Sequence, residues 1–319
     1  MTVHLAMLPP DSETPSLQVR VPKPELGPWR AGNTGIEGVW SFDSGVPGPH
    51  LLLSALVHGN EVAGGALLIR FLAAGLRPAM GRLTFAFGNL AAFDRFDAED
   101  PTASRFVEED MNRVWAPASL ASPRRSLELD RARALLPVVR QADVLLDLHS
   151  MLWPSDPLFI AGPGEASRAL GLALGAPLVV VADDGHAGGL RMIDLPHFTE
   201  GPRALLVEAG PHWEAETQVQ MAQTAERLMR CLGLVGAPPT PGEWPPGRLA
   251  RVTRTVTAQT SAFAFLRGYR GGEVVPRRNT LIALDGEAEL RTPHDDCLLV
   301  MPSPRVLRGH TAVRLAKFA

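Results

Sequence analysis

Three short stretches hold most of the residues in this sequence that could do chemistry: HGNE at 58–61, DLH at 147–149 and VEAG at 207–210. His58 and Glu61 follow the apolar run LLLSALV and open a helix-like stretch. One turn there can aim an imidazole and a carboxylate at a common point, and Gly59 and Asn60 suit the tight bend. Two ligands hold zinc poorly, so a third must come from elsewhere. His149, at the end of VLLDLHS, can supply it. Two histidines and one glutamate leave the fourth tetrahedral position for water, whose pKa falls toward roughly 7. A lone histidine at a strand end is more often structural, and a bare HxxE is weak evidence. The metal reading rests on three strand ends delivering such residues together. Asp147 shares a strand face with His149. It either orients a ligand or pairs with a structural arginine. Glu208 follows the apolar ALLV, where burial should raise its pKa and suit it to shuttling a proton.

The elements that must position these residues are legible from patterning. LLLSALV (51–57), LTFAF (83–87), VLLDLHS (144–150) and RALLVEAG (203–210) read as strands. Helices are expected over 61–75, over 126–141 with Ser126 as N-cap and a kink at Pro137, and over roughly 214–232. Strands alternating with helices predict an α/β domain with a mixed, largely parallel sheet flanked by helices. Ligands bind such sheets at the carboxyl ends of the strands, where the three motifs lie. The stretch 236–247, GAPPTPGEWPPG, has five prolines and three glycines and reads as a linker. It divides a domain over 1–236 from a smaller all-β domain over 237–319.

Composition bounds the rest. The 319 residues are 45% hydrophobic and 20% charged, ordinary for a globular protein. A formal net charge of −3 argues against a general nucleic-acid binder. No apolar run reaches the roughly 18 residues a membrane span needs. The N-terminal MTVHLAMLPPDSETP lacks the pattern of a secretory signal, and Cys231 and Cys297 lie far apart. A reducing cytoplasm is therefore the expected setting.

The stretch from 88 to 125 is a long connection with little periodicity, and such loops are usually functional or disordered. Its core, RFVEEDMNR, concentrates Arg105, Asn112, Arg113 and three acids. Arginine presents a planar fork suited to a carboxylate. Asp110 could hold Arg113 in position. In this order HGNExxG, RFVEEDMNRVW, DLHS and VEAGP resemble the succinylglutamate desuccinylase and aspartoacylase family, a zinc-carboxypeptidase-like domain followed by a smaller β domain. The resemblance implies one Zn2+ per chain held by His58, Glu61 and His149. It implies Glu208 as the carboxylate that activates water and then protonates the leaving amine, and Arg105 as the arginine that stabilises the oxyanion. Asn112 and Arg113 would grip a carboxylate of the substrate. A homodimer is a further expectation from the resemblance.

Other residues stay open. GHAGGLRMIDLPHF (185–198) looks like a mobile lid, in which Arg191 could contact a second substrate carboxylate and His186 could approach the metal; equally, both could be exposed polar groups. His212 beside Glu208 is ambiguous, and Tyr269 has no certain place in the family pattern. His294, Asp295 and Asp296 read as a solvated turn. Met151, Trp153 and Phe159 could wall a pocket or belong to the core. The reading that fits best is hydrolysis of a small N-acyl amino acid, such as N-acetylaspartate or N-succinylglutamate, to a carboxylate and a free amino acid. A zinc carboxypeptidase acting on peptides and a non-catalytic binding protein are the alternatives.

Overall fold

The computed structural model describes residues 17–183 and 188–319. They form two compact units, a larger one of Gln18–Met151 with Pro157–Leu249, and a smaller one holding Leu152–Asp156 with Ala250–Ala319.

The larger unit follows the chain as Val39–Asp43 (β1), His50–Ala55 (β2), Val62–Ala73 (α1), Arg82–Phe87 (β3), Leu90–Asp94 (α2), Pro117–Ala121 (α3), Leu127–Gln141 (α4), Val144–Met151 (β4), Leu158–Ala161 (β5), Glu165–Leu174 (α5), Val179–Ala182 (β6), Arg203–Pro211 (β7) and Ala215–Cys231 (α6). Its strands run in the order β1-β3-β2-β4-β7-β5-β6. The centre, β3-β2-β4-β7, is parallel, whereas β1 on β3 and β5 on β7 are antiparallel. The mixed, largely parallel sheet is therefore as expected. Strands β2 and β4 are buried along their whole length, which explains why they read as continuous apolar runs rather than alternations.

Helix α1 approaches the sheet closely because of Gly64. A Cβ there would lie 2.9 Å from the Ala55 Cβ and 3.2 Å from the Leu148 Cβ. Ser126 caps α4 by accepting the Leu129 N–H at 3.0 Å. Helix α4 runs through Pro137 as one element. Helix α6 buries Met221, Ala225 and Leu228, the spacing of one apolar stripe.

The proline-rich stretch 236–247 belongs to the larger unit rather than bridging two bodies, so the division falls at Leu249. Its contacts explain why. Arg230 pairs with Glu243 at 2.7 Å, Arg227 lies over the Trp244 ring at 4.9 Å, and the Gly247 and Arg248 N–H groups donate to Leu172 and Leu178 carbonyls.

The smaller unit is all-β. It contains Arg248–Thr257 (β8, beginning two residues before the division), Phe263–Phe265 (β9), Val274–Val275 (β10), Leu281–Asp285 (β11), Ala288–Arg291 (β12), Cys297–Val300 (β13) and Thr311–Phe318 (β14). Antiparallel pairings run β8-β14-β13-β10 and β12-β11-β9. Phe265, Ile282, Leu299, Val313 and Leu315 centre its core, and Tyr269 packs against it with its ring 5.7 Å from that of Phe265. Leu152–Asp156 joins this unit through a bridge from Ser155 to Gly271 and an Arg270–Asp156 ion pair at 2.9 Å.

Candidate metal centre

At the carboxyl end of β2 the chain turns through Leu56, held at φ 60°, and reaches His58. Gly59 must be glycine, since a Cβ would come within 2.3 Å of the Ala92 carbonyl carbon. Glu61 precedes α1 but does not cap it with its side chain. Its carboxylate instead collects the site. Oε1 lies 2.6 Å from His58 Nδ1, and Oε2 lies 3.0 Å from His149 Nδ1 and accepts the Ser150 N–H at 2.9 Å. The two imidazoles pack edge-on with centroids 5.0 Å apart. One donor atom from each of His58, Glu61 and His149 lies within 4.8 Å of the others, and all three residues are buried.

The outer nitrogen of each ring faces a carboxylate. His149 Nε2 lies 2.8 Å from Asp147 Oδ2, and His58 Nε2 lies 3.0 Å from Asp110 Oδ1. A proton on each Nε2 fixes the tautomer and leaves the inner Nδ1 lone pairs aimed together, the arrangement found around metal-bound histidines. This donor set fits a divalent cation such as zinc. Arg105 Nη2 also approaches His58 Nε2, at 2.9 Å. That nitrogen cannot both donate to Asp110 and accept from Arg105. Asp110 is the stronger partner, and Arg105 bonds the same carboxylate through Oδ2 at 3.2 Å. Asp147 faces His149 rather than an arginine, as a carboxylate that orients an imidazole would.

The electrostatics separate two acids. Burial would push the Glu61 carboxyl up, but His149 and His58 together hold it well below the usual range. Glu208 sits opposite His149 in the β4–β7 register. Burial and then the Glu61 charge push it up to about 8. Among the described residues its Oε2 has no hydrogen-bond partner. Such a group is poised to take and return a proton near neutral pH. Asp110 is held far down: burial opposes ionisation, but His58, Arg105 and Arg113 outweigh it.

The 88–125 connection brings the remaining residues to this edge. The Arg105 carbonyl accepts the Gly59 N–H at 3.1 Å, and its guanidinium reaches Glu61 Oε1 at 3.5 Å. Asn112 is buried, its N–H on Asp110 Oδ1 at 2.8 Å and its Oδ1 accepting the Met192 N–H at 3.1 Å. Arg113 donates to the Asn112 carbonyl at 2.6 Å. His212 is buried, 2.7 Å from Ser150 Oγ, and burial lowers its pKa to about 4.

Arg191 is placed differently from the expectation. It is 3% exposed, with Nε and Nη2 bonded to Asp194 at 2.7 and 2.9 Å and Nη1 to Asp183 at 3.3 Å. Its fork is occupied by two acids of the fold rather than presented to a ligand. The described part of the expected lid is packed, since Met192, Ile193 and Phe198 are fully buried. His186 lies outside the described residues. Phe159 is core, Met151 is buried, and Trp153 belongs to the smaller unit, bonded to Ser303. His294 sits in a turn with its Nε2 on Thr253. Sequence reasoning missed Ser150, whose backbone anchors Glu61, and Glu128, whose carboxylate accepts the Val107 N–H.

Comparison with known proteins agrees with this geometry. Over 133 residues the chain is 35% identical to a succinylglutamate desuccinylase of Pseudomonas aeruginosa, an alignment covering 39% of this chain and 37% of that protein. A succinylglutamate desuccinylase of Pseudomonas syringae pv. tomato is 38% identical over 94 residues, 27% of this chain and 26% of its own. The chain thus spans between about a quarter and little more than a third of the length of these relatives. Among solved structures, a succinylglutamate desuccinylase from Vibrio parahaemolyticus superposes with a TM-score of 0.67 at 18% identity, covering 88% of this chain and 86% of the other. A product-bound ectoine utilization protein from Ruegeria pomeroyi superposes at 0.64 and 18%, covering 87% and 88%. At such identities these two establish the shared fold. The model of the succinylglutamate desuccinylase/aspartoacylase catalytic domain matches residues 47–232, more than half of the chain and the whole of the donor cluster, so the chain belongs to that family.

Proposed function

We propose that the protein is a zinc-dependent amidohydrolase that cleaves a small N-acyl amino acid into a carboxylate and a free amine. The observation that carries this reading is the pairing of a His58–Glu61–His149 donor cluster with a neighbouring buried carboxylic acid, Glu208, whose pKa is pushed up to about 8. A zinc ion held there would polarise the scissile carbonyl and make water a competent nucleophile near neutral pH.

The chain's own residues supply the rest. Glu208 takes the proton from the attacking water at its partnerless Oε2 and returns it to the departing nitrogen. Arg105, already directed at the donor cluster, donates to the carbonyl oxygen as negative charge develops. Arg113 and the amide end of Asn112 hold the substrate carboxylate. The Asn112 carbonyl end is occupied by Met192, so the Nδ2 group is the one suited to an anion. Asp147 and Asp110 keep the two imidazoles in the required tautomer.

Screening zinc-loaded protein against a panel of N-acyl amino acids, with amine release as readout, tests the reading. Hydrolysis should vanish on chelation and return with zinc. Glu208→Ala should keep its metal while turnover falls on the order of 10²- to 10⁴-fold. A metal-replete Glu208→Ala variant with wild-type turnover would remove Glu208 from the mechanism.

A further inference from the structure

One buried carboxylate in the larger unit lies outside the donor cluster and belongs to none of the motifs. Glu128, in the first turn of α4, is 0% exposed. Its Oε1 accepts the Val107 N–H at 2.7 Å and the Asn89 Nδ2 at 3.0 Å. Its Oε2 accepts the Glu108 and Glu109 N–H groups at 3.2 and 3.3 Å. Three consecutive backbone donors and one side-chain amide thus converge on a single carboxylate. The return connection is equally specific. Glu108 accepts the Leu127 N–H, and Glu109 takes the Ser126 hydroxyl and Arg124. Loop acids cap the helix while a helix acid caps the loop.

The placement of this latch matters. Arg105 lies two residues before Val107, and Asp110 immediately follows Glu109. Asn112 and Arg113 come next. Asn89, the fourth donor, caps α2 through the Ala92 N–H and donates its own N–H to the Leu56 carbonyl beside His58. An anion inside a run of backbone N–H groups defines the path of that run. Bonds to a charged acceptor are also roughly twice as strong as neutral ones.

We infer that Glu128 is the positioning residue for the loop that carries Arg105, Asn112 and Arg113, fixing their approach to the donor cluster and thereby the enzyme's selectivity for a substrate bearing a free carboxylate. The catalytic half of this inference rests on the reaction proposed above. Glu128 touches no substrate; it acts through the loop. A neutral amide of the same shape cannot replace it, because an NH2 end would face backbone N–H groups that need an acceptor.

The test is Glu128→Gln in the full-length, zinc-loaded protein, read by amide hydrogen exchange and by kinetics. Exchange at Val107, Glu108 and Glu109 should accelerate by about tenfold or more, with the sheet amides of 144–149 unchanged. Zinc content should stay at the wild-type level. For N-acyl amino acids kcat/KM should fall about 10- to 100-fold, with much less loss on the matching C-terminal carboxamides, so the preference for a free carboxylate shrinks. Glu128→Asp, which keeps the charge on a shorter arm, should recover part of both effects and serves if the glutamine variant does not fold. Unchanged exchange at 107–109 overturns the latch. Faster exchange spread evenly over the chain, or an intact carboxylate preference in a folded variant, overturns the positioning role. If wild-type protein hydrolyses no N-acyl amino acid, the proposed reaction fails, and the exchange measurement still decides the latch.

Discussion

The two histidines of the donor cluster have the same inner partner and differently built surroundings. His149 and Asp147 lie two residues apart on β4, buried along its length between β2 and β7. His58 sits past the end of β2, and its outer partner Asp110 comes from the long connection and is shared with Arg105. The strand-borne half has its geometry fixed by the sheet ladder, whereas the loop-borne half depends on side chains holding other side chains. A ligand that must stay put is best placed on the first, and groups that must meet different substrates on the second.

The largest expected effect tests the rigid half. His149→Ala should lose zinc and activity together, and added zinc, which should raise the Tm of wild type, should leave that of the variant unchanged. Bound zinc at full stoichiometry in that variant, measured by elemental analysis, would break the claim that His149 is a ligand. On the loop-borne half, Arg105→Ala should keep the metal and lose on the order of 10²- to 10³-fold in kcat. A variant that raised KM alone would place Arg105 in substrate binding rather than oxyanion stabilisation.

The two outer carboxylates sharpen the contrast further. Asp147→Asn and Asp110→Asn should each weaken zinc affinity about 10- to 100-fold, because each removes the anion behind one imidazole. Only Asp110→Asn should also disturb Arg105, and so lower kcat at saturating zinc. Equal kcat losses in both variants would erase the distinction between strand-borne and loop-borne halves.

The same division explains what could be read in the sequence. His58, Glu61, His149 and Glu208 stand at the ends of strong apolar runs, so the strand pattern itself delivers them to one edge. The parallel centre of the sheet follows from those runs. The antiparallel β1 and β5 do not, because stretches such as VWSFD and LFIA are too short to declare their direction. Glu128 was illegible for a different reason. An acid in a first helical turn is usually explained by the helix dipole and solvent, and nothing local announces that three N–H groups from twenty positions upstream converge on it. Arg191 misled in the opposite direction: an arginine in a glycine-rich loop suggests an open fork, yet Asp183 and Asp194 fill it. The proline-rich 236–247 stretch reads as a linker from composition alone, and the carbonyls of Leu172 and Leu178 that hold its end are remote in sequence.

The smallest expected effect compares His149 with another buried histidine, His50, at the amino end of β2. With no metal bound, burial works against the His149 charge, but Asp147 and Glu61 outweigh it and hold its pKa well above the ordinary value. The His50 ring has neutral hydrogen-bond partners, with Nδ1 donating to the Gln141 carbonyl at 2.9 Å and Nε2 accepting from Thr84 Oγ1 at 2.8 Å, and burial, helped by the Arg82 charge and opposed by Asp143 and Asp43, lowers its pKa. The unfolded chain therefore binds a proton at His50 more readily than the folded one, and stability rises with pH between the two values. The His50 contribution is complete above about 6.5, the ordinary histidine value, and is lost as pH falls through the depressed folded value. Zinc-loaded wild type and His50→Gln, melted at intervals from neutral pH downward, should show Tm curves that converge toward acid, with wild type falling more steeply. Parallel curves would mean that His50 keeps the same proton affinity in both states, and burial among neutral partners would then not be what sets it apart from His149.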